Sequence, residues 1–69
     1  MPNENLVSGL HRQIRRIETE VIPEYQKIAT GWAAVAMMQR AVRQAEEAMN
    51  NGDVVDMIRA YKRLEGFDT

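Results

Sequence analysis

Trp32-Ala33-Ala34-Val35-Ala36-Met37-Met38 contains no polar side chain. At ~100° per residue this run goes round a helix axis almost twice, so it is apolar on every side. A surface helix needs one apolar stripe; a helix apolar all round needs cover on several sides. The chain has 69 residues, and a fold of about that size buries only ~60% of its unfolded surface. Small folds gain stability from disulfides, a metal ion or association. There is no Cys, and the single His has no clustered ligand spacing around it, so disulfides and metal are not expected. Association remains, and the run predicts a further partner for this helix, most simply another copy of the chain.

The run belongs to a helix predicted over about 31–50. On it Val35, Met38, Val42, Ala45 and Met49 keep a heptad seam, and Ala34, Ala41 and Ala48 recur beside it every seven residues. Small side chains let two helix axes approach to the short end of the ~8–10 Å range. Trp32, Val35, Met38, Ala41, Val42, Ala45 and Met49 are therefore the expected oligomer interface. Trp32, the largest anchor, suits either a core or an interface hot spot. Arg40, Arg43, Gln44 and Glu47 form the wet face, with Arg43 and Glu47 at i,i+4 spacing.

Upstream, Val7, Leu10, Ile14, Ile17, Val21 and Ile28 alternate by threes and fours, predicting a first helix over about 5–29. Asn3 or Asn5 can cap its start. Pro23 falls inside the pattern, removes a backbone donor and clashes with the Thr19 carbonyl, which predicts a kink there. Thr30-Gly31 argues for a break before the second helix. The heptad count nevertheless runs on through it, so one long kinked helix over 5–50, in a coiled coil, is the alternative. The favoured fold is all-α: a helical hairpin plus a short third helix, one domain over 1–69, oligomerising as a helical bundle.

Asn50-Asn51-Gly52-Asp53 punctuates the chain most clearly. Gly52 suits the left-handed residue that ends a helix, and Asp53 suits the cap of the next, predicted over about 54–65 with Asp56 in its first turn. Gly66-Phe67 resembles a second left-handed ending, with Phe67 folded back on the last turn.

Chemistry is sparsely represented. His11 lacks an accompanying nucleophile motif, and the adjacent glutamates diverge on a helix. No phosphate loop or metal motif is present, so an enzyme is not expected, nor a cofactor or metal. Nine basic residues against ten acidic give a formal charge of −1, no footprint for wrapping nucleic acid. No run reaches the ~18 apolar residues of a membrane span, and Met1-Pro2-Asn3-Glu4 does not read as a signal peptide. A cytoplasmic protein is expected, and the lack of Cys fits a reducing compartment.

Arg12, Arg15 and Arg16 share one helical face and are the candidate anion or ligand site, since guanidinium forks match phosphate oxygens. The competing reading is a solvated face with intrahelical pairs such as Arg16–Glu20 and Asp56–Arg59. The stretch from Gly31-Trp32 to Arg40-Ala41-Val42, about a sixth of the chain, resembles a helix of small phage proteins that trap cyclic-nucleotide signals as helical oligomers. That resemblance implies an oligomer with a phosphate-containing ligand. The residues favour a non-enzymatic interaction protein that self-associates and occupies a protein partner as an inhibitor, adaptor or assembly factor. An oligomeric binder of a nucleotide signal or nucleic acid is the alternative.

Overall fold

The computed structural model describes residues 5–68, all helix and turn with no strand among them. Helix α1 spans Leu6–Arg16, a π-helical turn Ile17–Val21, α2 Ile22–Gln26, α3 Trp32–Asn51 and α4 Val54–Glu65. Residues at the joints between the first three segments keep right-handed helical angles, so these segments form one rod. Asn5 caps it, its Oδ1 accepting from the Ser8 N–H at 2.8 Å. Asn3, the other candidate cap, lies outside the described residues.

The π-helical turn sits where Pro23 makes a regular α-helix costly. Pro23 has no N–H for the Thr19 carbonyl. Just upstream the ladder widens, and the Ile22 N–H donates to the Ile17 carbonyl five residues back. An extra residue in the turn advances the stripe, so Ile17, Val21 and Ile22 are all buried. The uninterrupted heptad expected from Val7 to Ile28 does not hold: both of those end residues are exposed.

The first rod ends at Gln26, short of the expected 29, and residues 27–31 reverse the chain. Gly31, not Thr30, stands at the N-cap of α3, and no side chain caps that helix. A β-carbon on the buried Gly31 would collide with the Tyr25 carbonyl. Only glycine permits so close a return of the chain, and α2 then packs against α3. This reversal overturns the alternative of one helix through 5–50.

Gly52 has φ 67° and ψ 24°, the left-handed conformation its sequence context predicts. The Asp53 N–H reaches back to the Ala48 carbonyl at 3.1 Å and the Gly52 N–H to Met49 at 3.2 Å, which closes α3 in a Schellman motif. Asp53 then caps α4, accepting from the Asp56 N–H at 3.1 Å.

The far end of α4 departs from expectation. Gly66 keeps right-handed angles, φ −75° and ψ −16°, and the last turn closes on itself: the Gly66 N–H donates to the Arg63 carbonyl at 3.2 Å and the Phe67 N–H to the Leu64 carbonyl at 3.2 Å, with side chains of the first rod adding to these bonds. Arg16 Nη2 donates to the Leu64 carbonyl at 3.0 Å and the Phe67 carbonyl at 2.8 Å. Tyr25 Oη donates to the Asp68 carbonyl at 2.9 Å. Phe67 does pack against the core, as its place in the sequence suggested.

These contacts ascend in step along both elements, so the first rod and α4 run parallel, with α3 opposed to them. Leu10, Ile17, Met38 and Leu64, the largest fully buried side chains, bring all three rods to one centre. Ala41, Ala45 and Ala48 of α3 and Ala60 of α4 are also buried. Their small volume allows the extensive packing of α3 on α4. Buried Gln13 is satisfied by Arg16 Nε, which donates to its Oε1 at 3.0 Å.

Candidate interaction surfaces

The seven-residue apolar run divides into two faces. Val35 and Met38 point into the core, and Ala34 is half-buried. Trp32, Ala33, Ala36 and Met37 face outward, with Trp32 75% and Met37 61% exposed. On a helix wheel Ala33 and Ala36 fall at the middle of this strip, with Trp32 on one flank and Met37 on the other. The strip covers roughly 140° of the circumference at ~100° per residue. It carries no charge until Arg40, one turn beyond Ala36. Ile28, 53% exposed, extends it past the turn.

This division changes the role of the residues expected at an oligomer interface. Val35, Met38, Ala41, Val42 and Ala45 are buried against the chain's own rods, and Met49 is partly buried there. Of that set only Trp32 stays exposed. The heptad seam on α3 is thus a core seam. Met37 was missed because it lies off the seam, yet its place in an all-apolar turn was the signal for it.

A hollow of about 360 Å³ lies beside Trp32, with Ile28, Ala29, Val35 and Ala36 among its lining residues and Gln26 and Gln39 at its rim. On the Met37 side, between α3 and the end of α4, a second hollow of about 500 Å³ is lined by Met37, Arg40, Lys62, Arg63, Gly66 and Phe67.

The candidate anion site on the first rod is largely committed to the fold. Arg16 holds Gln13 and the end of α4, not Glu20. Arg12 Nη2 donates to Tyr61 Oη at 3.2 Å, another tie between the first rod and α4. Arg15 is exposed, and its carbonyl accepts from Thr19 Oγ1 at 2.7 Å. Arg12 and Arg16 thus tie the first rod to α4, while Arg15 is exposed. The Arg59–Asp56 pair forms at 3.9 Å and is solvent-exposed, which gives it ~1 kcal/mol at most.

His11 is exposed beside Val7, Glu46, Met49 and Asn50 around an open hollow. The nearby Ser8 N–H serves the Asn5 cap. Among the described residues no group of three or more His, Asp or Glu side chains is placed to hold a metal ion. Nor is any described helix long and apolar enough to cross a membrane. Compared with protein families, curated proteins and solved structures, the chain matches none.

Proposed function

We propose that the protein is a non-enzymatic interaction module that self-associates through the outward face of α3 and acts by occupying a protein partner. The observation that carries this reading is the uncharged strip of Trp32, Ala33, Ala36 and Met37, left exposed after the chain has filled its own core. An exposed Trp beside small residues is a costly surface feature in a lone soluble chain. Tryptophan buries ~150–250 Å² when covered. The second copy is the occupant this face fits best. It is uncharged, so like charges do not oppose self-pairing, and its two alanines sit centrally where close helix approach needs small residues. A two-fold pairing presents the same patch twice and closes on itself.

Assembly as a helical bundle therefore runs through Trp32, Ala33 and Ala36, with Met37 at the edge of the contact, and not through the buried seam. A patch of this size supports weak to moderate association, since standard interfaces cover ~800 Å² per partner. Action by binding is the reading that the exposed apolar strip supports.

Sedimentation equilibrium across a concentration series tests the reading. Wild type is expected to exceed its 7.9 kDa chain mass as concentration rises, and Trp32→Ser to remain at that mass with unchanged helical circular dichroism. A wild-type chain that stays monomeric at several hundred micromolar overturns it.

A further inference from the structure

The hollow between α3 and α4 has a different chemistry from the Trp32 face. Met37 and Phe67 are its apolar lining, and beside Gly66 the rest is cationic: Arg40, Lys62 and Arg63, with no acidic residue in the lining. The adjoining groove further along the same two helices is mixed instead, with Glu47 and Asp56 alongside Arg59 and Arg63. Arg63 lines both hollows, and its Nη1 donates to Gln44 Oε1 at 2.6 Å across the groove. A chain with a formal charge of −1 thus gathers three cations around one greasy opening.

The usual task of cations in a last helical turn is to satisfy terminal carbonyls. Here Arg16 already donates to the carbonyls of Leu64 and Phe67 from the opposite side. The side chains of Arg40 and Lys62 make no hydrogen bond or ion pair among the described residues. Their charges are available to an incoming anion.

We propose that this hollow docks an acidic segment of a partner protein, with one apolar side chain between Met37 and Phe67 and flanking carboxylates on Arg40, Lys62 and Arg63. The proposal rests on the interaction-module reading and gives its partner a chemistry. Charge complementarity selects the occupant. Guanidinium forks take carboxylates bidentately, the ammonium adds a point charge, and methionine adapts to varied side chains. An opening of about 500 Å³ lies within the size range of ligand sites, ~300–1,000 Å³. Its two apolar lining residues call for an apolar anchor as well as charge.

The test titrates the full chain with a short peptide carrying one phenylalanine among aspartates and glutamates, read by amide chemical shifts. Three controls accompany it: the same peptide with its acids replaced by the corresponding amides, the acidic peptide with its phenylalanine replaced by serine, and inorganic phosphate with a short single-stranded DNA. Saturable shifts at Met37, Arg40, Lys62 and Phe67 are expected for the first peptide alone, weakening with added salt as charge attraction is screened. Lys62→Glu, and separately Arg40→Gln, should weaken binding at least five-fold while leaving the helical spectrum intact. Trp32→Ser should retain it, which separates failure here from failure of self-association. Equal binding of the amide peptide, shifts with phosphate or DNA but not peptide, or no shifts at these residues each overturns the proposal.

Discussion

The two halves of α3 share a buried inner face and differ in their outer one. From Ala41 to Ala48 the inner positions Ala41, Val42, Ala45 and Ala48 are buried, and the outer positions Arg43, Gln44, Glu46 and Glu47 are polar. That half is an ordinary amphipathic helix, closed by α4 on one side. From Trp32 to Met38 the inner positions Val35 and Met38 are buried in the same way, but the outer ones are Trp32, Ala33, Ala36 and Met37. A periodic helix needs no more than its inner face to fold. The outer face of the first half is apolar for some other purpose, and association is the one we assign to it.

Several substitutions would break or sharpen this contrast. The largest effect is expected in the shared core. Leu64→Ala removes a side chain with no exposure at the meeting of all three rods and should cost ~2–5 kcal/mol. Against a total stability of roughly 0.05–0.15 kcal/mol per residue, that is enough to leave much of the chain unfolded in a urea titration. Val42→Glu belongs to the same class. Val42 is 5% exposed inside the fold, so the charge would unfold the chain whether or not it assembles.

Gly31→Ala attacks the turn that sets the first half of α3 against α2. The collision with the Tyr25 carbonyl is with backbone, which cannot swing aside. We expect a loss on the order of 2–4 kcal/mol, in the range of strongly destabilising single substitutions. An unchanged melting temperature would show that the close return of the chain is not needed.

Arg16→Ala is expected to cost ~1–3 kcal/mol, because the Phe67 carbonyl loses its Arg16 donor and the Leu64 carbonyl keeps only the Phe67 N–H. Hydrogen exchange should rise first in the last turn of α4. The smallest effect on folding belongs to Trp32→Ser, within about 0.5 kcal/mol for the isolated chain, since little of that side chain is covered. Its effect on assembly should be the largest of the series. That inversion, from most harmful inside to least harmful outside, is the signature of the two faces.

Much of the fold is legible in the sequence where local chemistry decides it. Gly52-Asp53 states both the left-handed ending and the next cap in adjacent residues. The helix after it, α4, follows over Val54–Glu65, the limits read from the sequence. What escaped reading depends on contacts distant in sequence. Gly66 looks like another left-handed ending, but the last turn closes in right-handed geometry through the Gly66 and Phe67 N–H groups, and Arg16, 48 positions upstream of Leu64, ties that end to the first rod. The heptad through Val7, Ile14, Val21 and Ile28 looks unbroken because the π-helical turn before Pro23, which resets its phase, has no signature in side-chain hydrophobicity. The candidate surfaces were legible in part. The apolar run marked α3 as needing cover, but a heptad seam does not say whether its cover comes from the same chain or another. The cationic hollow was illegible, because it joins Arg40 to Lys62 and Phe67 across two helices.

The most direct test is the emission of Trp32, the sole tryptophan, followed as the chain is diluted from several hundred micromolar to below one micromolar. Covered by a second copy, the indole should emit at shorter wavelength when concentrated and shift toward the emission of a water-exposed indole on dilution. Emission already characteristic of an indole in water at the highest concentration would contradict the account.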